Sequence, residues 1–349
     1  MKGFTVLCNR RVCETALWRD KLYLGLQSGL VTVFCLATNR LLHSLERTGE
    51  RTGAGQEAGR GALLTLQGDT LVVASAGRDR VRVFNCRTDL LCGEIETRMG
   101  PVRTAGAAPT LVRNTELQVY SLALAPRLLV CLSGWSILAW RVHTEKPDAV
   151  RGQFQAALPD LQPSPEFQNW LEVHTALINS DWLVTRATRL RAAPTPGQAR
   201  AVSFLHCRRV GPDGWVGELS DYSGRLGEEV VEVAQLVLSP SSQLAMLSML
   251  RQGEGEVPTA LQYQLTVRDL WTGTVTASLP PTSILASVVT PLAWAGDRLW
   301  VRTVPASPAS SHQFSLSLAA WDTVAGGLHS VPGVHLSSSS DLVGQHSQR

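Results

Sequence analysis

Six times along the 349-residue chain a short polar turn is followed by leucine and an apolar run: LWRDKLYLGL, LQGDTLVVAS, LAPRLLVCLS, LINSDWLVTR, LSPSSQLAML and WAGDRLWVRT. The leucines that open these runs, Leu22, Leu71, Leu128, Leu183, Leu244 and Leu299, stand 49, 57, 55, 61 and 55 residues apart. Recurrence on this scale marks a repeat architecture, in which each unit is one supersecondary element that cannot bury its apolar surface alone. Short runs rich in Val, Leu and aromatic residues, bounded by turn signals, read as strands. Four of the six turns close on Asp (Asp20, Asp69, Asp181, Asp297), and the other two carry Pro126 and Pro240. A short Asp side chain bonds nearby backbone and tolerates unusual dihedrals.

The unit is clearest from Leu63 to Thr97, where four apolar runs alternate with three turn signals, the pattern of a four-stranded antiparallel sheet. A second landmark ends another strand of most units. Phe34-Cys35-Leu36-Ala37-Thr38-Asn39, Phe84-Asn85-Cys86-Arg87-Thr88-Asp89, Trp140-Arg141-Val142-His143-Thr144-Glu145, Arg268-Asp269-Leu270-Trp271-Thr272-Gly273 and Trp321-Asp322-Thr323-Val324-Ala325-Gly326 align without gaps. The fourth unit is the poorest, with Ala201–Cys207 as its expected third strand.

These segments resemble the Trp-Asp-Leu-x-Thr-Gly segment of WD-repeat β-propellers, over roughly Val12 to Pro332. The resemblance implies an all-β propeller of four-stranded antiparallel blades, six or seven in number, with a hairpin closed by Gly, Asn or Asp after each third strand. Blade-like units fall near residues 12–48, 61–98, 115–157, 172–222, 230–281 and 286–332. The strand Phe4–Cys8 either completes a blade at the closure or belongs to a seventh. The expected organisation is a single domain over residues 1–334, followed by a disordered polar tail over 335–349. The chain departs from the family pattern in having no Gly-His dipeptide and one true Trp-Asp pair, Trp321-Asp322, so the family's buried hydrogen-bonded tetrad is not carried over. Insertions lengthen the units beyond the ~40–45 residues of a typical WD repeat: Pro-rich stretches between Glu145 and Trp170 and from Ala192 to Ala201, then Gln252–Thr259 and Pro305–Ser311.

Composition narrows the function classes. A hydrophobic fraction of 44% against 17% charged residues describes an ordered chain with ample core. With 32 basic and 29 acidic residues the net charge is only +3, so no global field points to nucleic acid as the main partner. The apolar run Phe4–Cys8 is shorter than the about 7–15 residues of a signal-peptide core. The uncharged window Trp271–Gly296 is interrupted by Pro280, Pro281 and Pro291, so it reads as two strands joined by a turn and not as a membrane span. Seven cysteines, mostly inside apolar runs, read as reduced thiols and favour the cytoplasm or nucleus.

Candidate chemistry is sparse. The glycines of GERTGAGQEAGRG lack the Lys-Ser/Thr of a phosphate loop and read as a flexible connection. Cys8 and Cys13 are separated by four residues and Cys86 and Cys92 by five, and no matching His pair follows either, where a zinc site pairs Cys-x2-4-Cys with a second such knuckle; they read as buried strand cysteines. His206 and Cys207 are adjacent on a strand and face opposite ways. Glu218, Asp221, Glu228, Glu229 and Glu232 form the densest acidic region and read as a solvated connector. No catalytic, cofactor-binding or metal-binding residue is assigned, and no cofactor is expected.

One charge asymmetry remains. Trp182–Pro212 contains Arg186, Arg189, Arg191, Arg200, Arg208 and Arg209 and no acidic residue. Arginine's planar fork suits carboxylates and phosphates, and Trp and Arg dominate interface hot spots. Trp18, Trp135, Trp170, Trp182 and Trp215 lie near turns or insertions. The candidate partner-binding residues are therefore Arg186, Arg189, Arg191, Arg208, Arg209, Trp182 and Trp215. Arg208-Arg209 miss the Phe-Arg-Arg-Gly motif of phosphoinositide-binding propellers, which disfavours that ligand.

The function that the resemblance implies is a non-enzymatic scaffold or adaptor that presents a propeller face to proteins or acidic peptides as a subunit of a larger complex. Two alternatives stay open. One is a ubiquitin-ligase substrate receptor, for which neither an F-box-like segment nor a Trp-Asp-x-Arg motif is seen. The other is an enzyme with its active site at the channel mouth.

Overall fold

The computed structural model of the chain describes residues 12–45, 61–75, 80–96, 119–133, 136–142, 153–158, 167–191, 200–221, 223–227, 229–252, 260–282, 289–303 and 315–337. The expectations for Phe4–Cys8, for the glycine-rich connection before Gly61, for Trp135 and for the tail beyond Ser337 lie outside these residues, as do most of the insertions.

All regular structure among the described residues is β-strand, in six antiparallel sheets. The first is β1 (Val12–Trp18), β2 (Lys21–Leu26), β3 (Val31–Cys35) and β4 (Arg40–Ser44); the second is β5 (Ala62–Gln67), β6 (Thr70–Ser75), β7 (Arg80–Asn85) and β8 (Leu90–Glu96). The third is β9 (Val119–Ala125), β10 (Leu128–Ser133), β11 (Ser136–Arg141) and β12 (Gln153–Leu158). The fourth is β13 (Phe167–Ile178), β14 (Trp182–Arg191), β15 (Arg200–Val210) and β16 (Val216–Leu219), with a short β17 (Gly224–Arg225) also pairing β15. The fifth is β18 (Val230–Leu238), β19 (Gln243–Gln252), β20 (Ala260–Asp269) and β21 (Val275–Ser278); the sixth is β22 (Thr290–Ala295), β23 (Arg298–Thr303), β24 (Ser315–Asp322) and β25 (Leu328–Ser337). Apart from β17, the strands of each sheet are neighbours in sequence order, so the connections between them are hairpins. These are the blades of a β-propeller.

The chain divides into two compact units, Met1–Thr188 with Arg208–Ser220, and Arg189–Cys207 with Asp221–Arg349. In the first unit, β1 packs on β5, β5 on β9 and β9 on β13, so the first strands of successive blades are neighbours. In the second, β18 packs on β22 in the same way.

Strand alternation explains why blades stack. On β6, Leu71 and Val73 join a core with Tyr23, Val31 and Val33 of the first blade, whereas Val72 and Ala74 join a core with Leu124, Leu129 and Trp140 of the third. A period of two sends successive side chains to opposite faces, and both faces of this blade are apolar. Gly25 is needed where β2 meets the next blade, since a Cβ there would lie 2.6 Å from the Ala62 carbonyl oxygen.

The repeated turns have a common bond. The carbonyls of Asp20, Asp69, Arg127, Asp181 and Ser242 accept from the amides of Leu36, Cys86, Val142, Val210 and Leu270, at the last residue of the third strand in the fourth blade and one residue beyond it in the others. The left-handed backbone expected at the turn Asp falls instead one residue earlier, on Arg19, Gly68 and Gly296, which frees the Asp carbonyl to extend the ladder. In the second hairpin of the blades, Asn39, Asp89, Gly273 and Gly326 are left-handed, as expected for Gly, Asn or Asp closure. Beyond that hairpin the outer strand carries a bulge, opposite Val33/Phe34 in the first blade, Val83/Phe84 in the second, Ala139/Trp140 in the third and Val267/Arg268 in the fifth.

Two sequence expectations are refined here. The third strand of the fourth blade runs over Arg200–Val210 and not only Ala201–Cys207, which places Arg208 and Arg209 inside the strand. The outer strand of that blade is split, and between its halves the Ser223 hydroxyl accepts from the Cys207 amide at 2.8 Å and donates to the Cys207 carbonyl at 3.0 Å, replacing a ladder pair. Trp271–Gly296 contains β21 and β22, as its prolines suggested.

Candidate partner-binding surface

The turn before β14 is held by Asn179, whose Oδ1 accepts from the amides of Asp181 and Trp182 at 2.9 and 2.8 Å. The Val210 amide donates to the Asp181 carbonyl at 2.7 Å, which sets the register of β15 against β14. That register brings Arg209 beside Trp182, and its guanidinium carbon stands 4.9 Å from the indole centroid. Such stacking orients the planar cation and holds it with low entropy.

The hairpin from β15 to β16 turns on Gly211-Pro212-Asp213-Gly214. Gly211 donates to the Trp215 carbonyl and Gly214 to the Gly211 carbonyl, both at 2.8 Å, while Asp213 Oδ1 accepts from the Trp215 amide at 3.3 Å. Gly214 has φ 83°, and a Cβ on it would meet the Arg127 carbonyl oxygen at 2.4 Å. Arg127, in the first turn of the third blade, donates from Nη1 to the Pro212 carbonyl at 2.7 Å. The hairpin is thus clamped from the neighbouring blade, and its tip presents Trp215, 49% exposed.

Gly214→Ala tests that clamp. It places a side chain at positive φ and against backbone that cannot move aside, so a loss of about 2–3 kcal/mol is expected in urea denaturation. A loss below about 0.5 kcal/mol would mean that the hairpin does not rest on Arg127.

The structure sorts the sequence candidates. Trp182, Arg208, Arg209 and Trp215 come together at one end of the fourth blade. Arg208 donates to the Gly217 carbonyl at 3.2 Å and Arg209 is exposed. Trp182 is only 2% exposed, so it supports Arg209 from beneath and offers no surface of its own. Arg186 is half-buried further along β14. Arg189 and Arg191 lie in the last residues of β14, away from Trp182, and their side chains, like that of Trp170, fall outside the described residues. Trp18 is half-buried and donates to Asp69 at 3.0 Å across to the second blade, a structural role. Sequence reasoning missed Arg127. In the leucine register Pro126 stands where four other units carry Asp; only the bond from the Val142 amide to the Arg127 carbonyl shows that Arg127 takes the place of Asp20, Asp69 and Asp181 in the turn.

Neighbouring acidic groups do not cancel this character. Asp213 is turned into its own hairpin, and Glu218 is exposed on β16. Of the acidic region named from sequence, Glu229 is exposed in the connector, but Glu232 lies within β18, also exposed.

Three buried thiols are poor nucleophiles. Burial pushes Cys86 up to about 11, Cys207 up to about 12 and Cys131 higher still, so the thiolate that would attack is scarce. Asp322, of the one Trp-Asp pair, caps its own hairpin by accepting from Ala325 and Val324 at 2.9 and 3.1 Å; these amides hold its carboxyl below the usual range. Asp269 likewise caps its hairpin by accepting from the amides of Trp271 and Thr272 at 2.8 and 2.9 Å. Both carboxylates serve the turn. Among the described residues no three His, Cys, Asp or Glu side chains gather as a metal site, and no helix is long and apolar enough to cross a membrane.

By sequence, no family model and no curated protein matches this chain. By fold, solved structures do. The β-propeller domain of Myceliophteria thermophila Cps50 (Swd1) aligns with a TM-score of 0.50 at 13% identity, over 95% of this chain and 90% of that one. Kuenenia stuttgartiensis hydrazine synthase aligns with a TM-score of 0.51 at 15% identity, over 93% of this chain and 81% of that one. A weaker likeness is to the WD40 repeats of RRP9, with a TM-score of 0.43 at 10% identity over 91% and 77% of the two chains. The fold class is a β-propeller. At such identities the likeness speaks to fold alone, and the fold serves both interaction domains and enzymes.

Proposed function

We propose that this chain is a non-enzymatic scaffold, with residues 1–334 as its propeller domain, that docks proteins or acidic peptides within a larger complex of the cytoplasm or nucleus. The observation that carries the reading is the clamped hairpin of the fourth blade, where an indole-stacked Arg209 and an exposed Trp215 are presented on backbone braced by Arg127. A pre-ordered arginine beside an exposed tryptophan is the composition of a binding hot spot, because little entropy is left to lose on docking.

The test is quantitative affinity capture with the native chain beside Arg209→Glu and Trp215→Ala. Each variant is expected to lower recovery of a defined set of partners about tenfold or more, with unchanged thermal unfolding. If both variants keep every partner at native levels, the hairpin is not the docking site.

A further inference from the structure

Blades mate in one way in both units. The face of Tyr23 and Val33 receives Leu71 and Phe84 of the second blade, that of Val72 and Val83 receives Leu129 and Trp140 of the third, and that of Ala245 and Val267 receives Leu299 and Trp321 of the sixth. On the second strand of a blade the inserted residue and the receiving residue are therefore successive and point to opposite neighbours. The receiving residues Tyr23, Val72, Val130, Val184 and Ala245 of the first five blades are each no more than 1% exposed. So are the inserted residues Leu71, Leu129, Leu183, Leu244 and Leu299 of the last five.

The first and last blades depart from this, on opposite faces. Leu22, at the inserted position of the first blade, is half-buried. It belongs to a row that crosses the whole sheet, with Leu17 opposite Leu22, Leu22 opposite Phe34 and Phe34 opposite Leu41. Directly opposite residues share a face with Cβ atoms about 5 Å apart, so the row is continuous. Phe34 is half-buried where Phe84, Trp140 and Trp321 are buried, and Leu17 is 57% exposed. One row further from the turn Leu24 and Thr32 are buried, so the open part of this face is the end beside Asp20. Trp300, at the receiving position of the sixth blade, is half-buried too, and Ala293 opposite it is exposed. This second face is the more polar, since it also carries Arg302, the exposed His329 and Arg298, although Asp322 stands directly opposite Arg298 on β24. An inserted row without a receiver and a receiver without an inserted row are the two halves of the contact that the other blades make.

We infer that the chain pairs with a second copy of itself, the leucine row of the first blade in one copy inserting against Trp300 on the sixth blade of the other. Such a contact joins unlike surfaces, and making it in both directions closes a two-fold pair. It lies on other blades than the Arg209 hairpin and does not rest on that reading.

Sedimentation of the full chain is expected to show a monomer–dimer equilibrium with a Kd below about 10 μM. Leu17→Asp and Trp300→Asp should each weaken the dimer about tenfold or more, whereas Val275→Asp, at an exposed residue of β21, leaves it unchanged. Mixing the two variants discriminates further: in the mixed dimer one of the two contacts is native on both sides, so it should form about tenfold more tightly than the dimer of either variant. A loss with Val275→Asp equal to that with Leu17→Asp, or a mixture no tighter than its components, overturns the proposal. So does a native chain that stays monomeric at about 100 μM, whether its row is covered within one chain, with Leu17→Asp then lowering the thermal unfolding temperature, or left for a different protein.

Discussion

Trp321→Ala is expected to cost about 3–5 kcal/mol in equilibrium urea denaturation, the range for truncating a large buried aromatic. Trp321 is among the largest fully buried side chains and packs with Ala245, Leu247, Leu265, Val267, Leu299 and Val301, a core shared by the fifth and sixth blades. Its removal leaves a cavity that β-sheet backbone on both sides cannot close. The indole Nε1 has no hydrogen-bond partner among the described residues, so Trp321→Phe should lose less than about 1.5 kcal/mol, because it deletes an unsatisfied buried donor along with some volume. Val324→Ala, three residues on and exposed, should stay within about 0.5 kcal/mol. If Trp321→Ala cost as little as Val324→Ala, the fifth and sixth blades would not share a core.

The second large effect is at Asp89. Its carboxylate, in the second hairpin of one blade, collects Lys21 Nζ, the Tyr23 hydroxyl and His43 from the previous blade. Burial and then the bond to Asp89 hold the Tyr23 hydroxyl far above the usual phenol range, so it remains a donor. Asp89→Ala leaves Lys21 and Tyr23 only the Cys86 carbonyl, at 2.9 and 3.4 Å, removes the charge opposite Lys21 in a half-buried site and places Ala at φ 57°, for an expected loss of about 2–4 kcal/mol. Asp89→Asn separates the two causes: the amide tolerates left-handed backbone and still accepts from Tyr23, but offers Lys21 no charge, and about half the loss should remain. Equal stability of Asp89→Asn and the native chain would show that charge contributes nothing to this inter-blade contact.

Much of the fold was legible because blade formation is a local matter. Alternation within β6, the Asp-bearing turns and the hairpins ending in Asn39, Asp89, Gly273 and Gly326 are decided by residues within one unit, and periodicity of two is visible in any unit. Where local signals weaken, so did the reading. The fourth blade lacks the second landmark, and its third strand is longer than its apolar pattern because Arg208 and Arg209 continue the ladder at an exposed end. The site was legible only in part. Sequence grouped six arginines by proximity along the chain, but a long hairpin carries residues apart, so Arg209 and Trp215 share an end with Arg127, more than eighty residues earlier, and not with Arg189 and Arg191.

The chain by itself determined the repeat, the strand-and-turn grammar of each blade and the two-faced apolar character that forces blades to stack, since all follow from steric preference and side-chain alternation over a few residues. Only the tertiary structure decided which polar groups meet between blades. It put Lys21 on Asp89, Trp18 on Asp69 and Arg127 beneath the Gly214 hairpin, contacts that span 51 to 85 residues of sequence. Tertiary structure also decided that Trp182 is buried while Trp215 is not. The reason is that one blade's neighbour is set by how apolar faces pack across the gap, and no pattern within either blade encodes the register of that packing.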